Sequence, residues 1–254
     1  MQKTQLEKKG RMYKEALIWN VSVGCLFHCP YCISSFQAQM KRQMPTIDKN
    51  GKSRGCQDCY DYFPHFHEER LKASLPKTTG DQFIWCCSSS DIYFAKTEWI
   101  EKILERVRKE KNKTFFFQSK APEVFLKYKF PENVLLGITL ETNRNYPINF
   151  SKAPNPYKRY IDFLKVKHLR KVVTLEPLME FDLFAFVMML RNIAPERIYI
   201  GYDSGNSKLN EPLLVKTNSL ITFIKKFLPD CKIKPKLMRE KHDLNRGGIK
   251  KNVK

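Results

Sequence analysis

From residue 81 onward the apolar positions alternate between two textures. Short runs rich in β-branched and aromatic residues lie at Gln82–Cys87, Thr114–Gln118, Val134–Leu140, Lys171–Leu175 and Arg197–Tyr202. Between them the apolar residues recur at helical spacing. Thr97–Lys111 opens on Thr97 as the expected cap and repeats Ile100, Ile103, Leu104 and Val107 on one face. Pro122–Lys129, Pro156–Lys167, Leu183–Asn192 and Leu213–Phe227 read as further helices. Glu15–Ser22 reads as an earlier strand and Lys232–Leu237 as a late one. Strands alternating with helices predict βαβ units and a parallel sheet. Six or seven such units in 254 residues fit an α/β fold built as a partial (β/α)6-7 TIM-like barrel. A doubly wound sheet is the competing arrangement.

Met40–Thr79 breaks this rhythm. It carries KNGKSRG, a pair of cysteines and PHFHEER, with little regular apolar period. The chain therefore reads as one domain, 1–254, with an insertion at about 40–79 and a basic C-terminal extension at about 229–254.

Composition then narrows the class. With 42% hydrophobic and 13% aromatic residues the chain can bury a sizeable core, which excludes a disordered protein. No stretch approaches the ~18 apolar residues of a membrane span. The first residues, MQKTQLEKKGRMYK, lack the apolar centre of a signal peptide. A cytoplasmic protein without membrane attachment is expected. There, eight cysteines point to metal binding or catalysis rather than disulfides. The net charge of +20 favours a polyanionic partner such as nucleic acid. It concentrates in Lys152–Lys171, with seven basic residues against one acid, and in Lys225–Lys254, with eleven against three. No phosphate-binding GxxxxGK[ST] or dinucleotide-binding GxGxxG is present, and Ser88–Ser90 lacks the glycines of a hydrolase nucleophile elbow.

Directly after the first strand stands Gly24-Cys25-Leu26-Phe27-His28-Cys29-Pro30-Tyr31-Cys32, with CxxxCxxC spacing. Three thiolates within eight residues can face one point. A closed zinc site or a fully ligated four-iron cluster wants four protein ligands, so three leave one metal position open. A zinc site completed by His28 or a distant cysteine is the alternative.

This motif, with an aromatic residue before the third cysteine, resembles the radical S-adenosylmethionine (radical SAM) superfamily, whose partial TIM-like barrel matches the pattern above. The resemblance implies a [4Fe-4S] cluster on Cys25, Cys29 and Cys32. S-adenosyl-L-methionine would chelate the fourth iron and be cleaved by one electron to methionine and a 5′-deoxyadenosyl radical. It also implies an electron donor such as a flavodoxin or ferredoxin. Trp19-Asn20, His67-Glu68-Glu69-Arg70-Leu71, Ser90-Asp91, Gln118-Ser119-Lys120-Ala121-Pro122, Leu136-Gly137-Ile138-Thr139-Leu140-Glu141 and Leu175-Glu176-Pro177-Leu178 follow in order. They resemble a phage- and prokaryote-associated branch of radical SAM-like proteins, which adds no substrate.

Four expected strands end in an acid: Asp91, Glu141, Glu176 and Asp203. Ligands bind at such ends of parallel β/α sheets, and carboxylates suit ammonium, sulfonium and ribose hydroxyl groups. The resemblance assigns Ser88, Ser89, Ser90 and Asp91 to the methionyl amino group and Glu141 and Glu176 to the ribose. Ser89-Ser90-Asp91 stands where the superfamily usually has Gly-Gly-Glu. A helix cap or loop acid is the plainer role for Asp91 and Asp203.

Cys56 and Cys59 form a CxxC followed by His65 and His67. These four are a candidate second metal group, for zinc or an auxiliary iron–sulfur cluster, although two histidines two apart depart from a zinc finger's spacing. Cys86 and Cys87 are adjacent on a strand, so at most one faces the barrel interior. An inward thiol is a candidate hydrogen-atom donor to a substrate radical, and small buried residues are the plainer reading. The leading expectation is a radical SAM enzyme acting on a nucleic acid or nucleotide-bearing molecule, by modification or repair. A radical SAM enzyme on a peptide or small metabolite, and a non-catalytic zinc-containing nucleic-acid-binding protein, are the alternatives.

Overall fold

The computed structural model describes residues 13–147, 150–205 and 207–235. Seven strands form one parallel sheet: β1 (Ala16–Trp19), β2 (Phe83–Cys86), β3 (Phe115–Ser119), β4 (Val134–Thr139), β5 (Lys171–Leu175), β6 (Arg197–Ile200) and β7 (Lys232–Pro235). Their order across the sheet is their order along the chain. A doubly wound sheet must reverse direction at a switch point. The consecutive order excludes it and gives a curled half-barrel instead. Lys232–Leu237 is observed as Lys232–Pro235, and the basic extension from residue 236 lies outside the described residues.

Strand alternation divides the core in two. Ile84 and Cys86 of β2, Phe115 and Phe117 of β3, and Ile198 and Ile200 of β6 pack against the helices. Their neighbours Phe83, Trp85, Phe116 and Tyr199 turn into the barrel with Leu135 and Val172. Tyr13 plugs that interior, its ring 4.5–5.6 Å from those of Phe83, Trp85, Phe116 and Tyr199. Its hydroxyl reaches Thr174 Oγ1 at 2.6 Å and donates to Gln118 Oε1 at 3.0 Å. Gly137 leaves room for the Phe116 ring, since a Cβ there would lie 2.4 Å from it.

Four helices cover the outer face: α1 (Thr97–Lys109), α2 (Pro156–Lys165), α3 (Leu183–Ile193) and α4 (Leu214–Phe227). Ile100, Ile103, Leu104 and Val107 of α1 are buried as their spacing predicts. Burying each stabilises by about 1.5–3 kcal/mol. Thr97 is the first helical residue and not the cap; Lys96 takes that position without a side-chain bond. The expected helix Pro122–Lys129 is only a 3-10 turn, Pro122–Lys127.

Below the sheet's N-terminal ends, Asp81 accepts from Lys232 at 2.6 Å and from Lys234 at 2.8 Å, and Lys234 also pairs with Glu15 at 2.9 Å. These ammonium groups hold the Asp81 carboxyl below its ordinary range. They tie edge strand β7 to the start of β1 and β2.

The insertion is ordered by small elements. Helical turns run from Pro30 to Gln43. A hairpin pairs Thr46–Ile47 with Ser53–Arg54 around the turn at Asp48. A short helix, Gln57–Asp61, leads to strand His65–Phe66, which pairs antiparallel with Ser22–Val23 just after β1.

Candidate functional site

A cavity of about 360 Å³ opens at the C-terminal ends of the strands, within the size range of small-molecule sites. Each of β1–β6 contributes to its wall: Asn20 after β1, Ser88–Asp91 after β2, Gln118 and Lys120 at the end of β3, Thr139 on β4, Glu176 after β5, and Tyr202 and Asp203 after β6. Cys25, Cys29 and Cys32 line the same space. The structure therefore brings the cysteine loop and the polar strand ends to one cavity.

Gly24 sets the path of the cysteine loop. Its φ of +99° suits glycine, and a Cβ would lie 2.2 Å from the Phe63 carbonyl oxygen. Gly24 N donates to Ser89 O at 2.9 Å, Ser90 Oγ donates to Gly24 O at 2.8 Å, and Cys25 N donates to Tyr62 O at 3.3 Å. Pro30 then opens a short helical turn in which Cys32 N donates to Cys29 O at 2.9 Å. Cys29 is buried, with its sulfur 3.2 Å from both Lys120 Nζ and Ser151 Oγ. Cys32 Sγ lies 3.9 Å from the Tyr62 hydroxyl. Burial, with Asp91 nearby, pushes the Cys25 thiol well up, and burial pushes Cys32 to about 11. Such thiols stay protonated until a metal ion displaces the proton.

The strand-end residues divide into those poised toward the cavity and those already engaged. Asn20 organises the serines: its Oδ1 accepts from Ser88 Oγ at 3.0 Å and Ser89 N at 3.2 Å, and its Nδ2 donates to Ser89 Oγ at 3.1 Å. Asp91 caps a 3-10 turn through Tyr93 N and also accepts from Ser119 Oγ at 2.6 Å and Lys120 N at 2.7 Å. Burial still raises its carboxyl above the ordinary range, against those bonds. Asp203 holds its own loop, accepting from Gly205 N and Ser207 N. Gly201 makes space for Glu176, whose Oε2 would lie 2.7 Å from a Cβ at that position.

Glu141 is placed differently. It is fully buried behind the cavity wall, pairing with Lys120 at 2.7 Å and Arg159 at 2.8 Å and accepting from the Tyr31 and Tyr146 hydroxyls. Burial opposes its charge, but the Arg159 and Lys120 cations prevail and hold the carboxyl at about 2. Of its four contacts, those to Lys120 and Tyr31 orient these two side chains on the Cys29 side, and those to Arg159 and Tyr146 anchor the carboxylate from behind. Arg159 belongs to the run read as a basic surface, yet it is buried, whereas Lys152, Lys158, Lys165 and Lys167 are exposed. The available signal was its place four residues before Phe163 on the covered face of α2. Asn20 entered the sequence reading only as part of a motif, with no role, and Tyr62 and Tyr146 were given none at this site. Cys86 and Cys87 both pack in the helix-side core and do not line the cavity; Cys87 turns away from the strand at φ +59°.

The insertion's Cys56, Cys59, His65 and His67 converge, their ligand atoms lying within 4.8 Å of one another. This group can bind a metal ion. Cys25, Cys29 and Cys32 line the cavity wall instead, apart from this group.

Comparison with family models, curated proteins and solved structures finds no match for this chain. The chemistry of the site rests on its own geometry. Among the described residues no helix is long and apolar enough to cross a membrane.

Proposed function

We propose that this chain is a radical SAM enzyme. The observation that carries the reading is one cavity, at the C-terminal ends of a parallel half-barrel, walled by Cys25, Cys29 and Cys32 and by the polar ends of β1–β6. The donor set fits a [4Fe-4S] cluster. Three soft thiols line one wall, a set of three leaves a fourth iron an open position, and Lys120 offers positive charge to an anionic cluster. The polar wall fits S-adenosyl-L-methionine. The Ser88–Ser90 hydroxyls, Asp91 and Glu176 supply acceptor oxygens suited to ammonium and ribose, Asn20 holds the serines in place, and Gly201 leaves room for the Glu176 side chain. Such a cluster, when reduced, supplies the electron that breaks the sulfonium bond.

The protein's own part is placement and exclusion of water. Lys120 is held over the Tyr31 ring at 4.3 Å and against Glu141, so its charge stays at Cys29. Tyr13, Phe36 and Trp85 give the cavity an apolar floor. The +20 charge supports a nucleic acid or a nucleotide-bearing molecule as substrate, by modification or repair.

Anaerobic reconstitution with iron and sulfide is expected to give a brown protein. With a flavodoxin, ferredoxin or dithionite as reductant it releases methionine and 5′-deoxyadenosine, and Cys29→Ala brings both cluster content and release to background. A colourless, zinc-loaded protein that leaves S-adenosylmethionine intact would falsify the reading. Affinity for RNA or DNA is expected to fall linearly on a log–log salt plot, with a slope near −0.7 to −0.9 per phosphate contact. Affinity indifferent to salt removes nucleic acid and leaves a peptide or small metabolite.

A further inference from the structure

The insertion carries a second chemistry that the cavity does not use. Cys56 and Cys59 sit on one turn of the short helix, the first as its cap and the second inside it. His65 and His67 take alternate positions of the extended segment that follows, so their rings share a side. Cys59 Sγ lies 3.3 Å from His65 Nε2 and 3.2 Å from His67 Nε2, and Cys56 Sγ lies 3.5 Å from His65 Nε2.

The histidine tautomers are set by the other ring nitrogen. His65 Nδ1 faces the Phe63 carbonyl at 2.7 Å and His67 Nδ1 faces the Glu69 carboxylate at 3.1 Å. Both partners are pure acceptors, so both Nδ1 atoms must carry the hydrogen. In neutral rings the two Nε2 lone pairs then confront each other at 2.9 Å. Thiol hydrogens can serve each ring once but cannot remove that opposition. A shared cation does, and the Nδ1 bonds are the outer support that metal-bound histidines use.

We propose that Cys56, Cys59, His65 and His67 bind one zinc ion in a closed tetrahedral site that fastens the Gly24–Cys32 loop from behind. Zinc bonds of about 2.0–2.3 Å set tetrahedral donors about 3.3–3.8 Å apart, and the sulfur–nitrogen separations here are 3.2–3.5 Å. Two thiolates and two neutral imidazoles cancel the dication, which suits the complete burial of Cys59. Binding displaces two thiol protons to solvent. Four protein ligands leave no open position, so the role is structural. The residues between the ligands grip the loop. Tyr62 O accepts from Cys25 N, Phe63 O blocks any side chain at residue 24, and His67 N donates to Val21 O at 2.7 Å.

The full-length chain with Cys25, Cys29 and Cys32 all replaced by Ala tests this without the iron–sulfur reading. Elemental mass spectrometry is expected to find about one zinc per chain, and cobalt substitution the intense ligand-field bands of a tetrahedral S2N2 site. Cys59→Ser in that background is expected to lose the ion. No stoichiometric metal, or iron with sulfide in its place, overturns the proposal. In the otherwise unaltered chain, chelation is expected to speed hydrogen exchange at Gly24 and Cys25 about tenfold. Retained zinc with loop exchange unchanged after its removal overturns the fastening role.

Discussion

Glu141→Gln is expected to destabilise the protein by about 3–5 kcal/mol, because it leaves the buried Arg159 guanidinium without its counter-charge. The amide keeps the shape of the side chain but turns two donor hydrogens toward groups that already donate. Chemical denaturation at pH 7 measures the loss, and a change under about 1 kcal/mol sinks the account. The pH dependence has a definite sign. The carboxyl is held at about 2 in the folded protein, against an ordinary value of 4.5. Its stabilising contribution is complete above about 4.5 and is lost as pH falls toward 2. The parent should lose stability through that window, and the variant should lose much less. A paired exchange, Glu141→Leu with Arg159→Met, should recover part of the stability, since apolar isosteres replace buried ion pairs at little cost. It would still release Lys120 from Cys29.

Gly24→Ala is expected to cost roughly 2–4 kcal/mol, combining a left-handed backbone strain with a collision against main chain. The φ of +99° is one part, and the Cβ position 2.2 Å from Phe63 O is the other. A carbonyl pinned by the His65 ring cannot yield as a flexible side chain would. Gly51 is the control. Its φ is +73° but nothing lies within 4 Å of an added Cβ, so Gly51→Ala should carry the strain alone, about 1 kcal/mol. Urea denaturation of both variants checks the difference. Equal losses would show that the collision is relieved by movement of the loop. On the proposed function and the proposed zinc site, the same change should lower metal retention at both cysteine groups, because Gly24 meets the Phe63 carbonyl between them.

The parallel half-barrel was legible because each strand and each long helix has its own apolar period. Phe115–Ser119 and Ile100 to Val107 show it plainly. Spacing put Cys25, Cys29 and Cys32 on one loop after the first strand, and all three line the cavity. Three kinds of feature were not. Thr97 has a capping side chain, but the preceding Lys96 starts the helix, so residue type misplaced the boundary. Arg159 sits among exposed lysines, and only its register against Phe163 separates it from them. The histidine pair departs from finger spacing because an extended segment brings i and i+2 to one side, whereas a helix needs three or four. Glu141 was read correctly as a strand-end acid. Which partner occupies its oxygens depends on Lys120, Tyr146 and Arg159, contributed by other elements. That pairing is a property of the tertiary structure.

The consecutive strand order has a thermodynamic meaning. Six successive strands each deliver one part of the cavity wall at their own ends, so losing any one of them removes part of the wall. A ligand that touches all six ends binds best to the fully assembled sheet. By mass action its binding energy then adds to the stability of all six strands together as well as to the loop it touches.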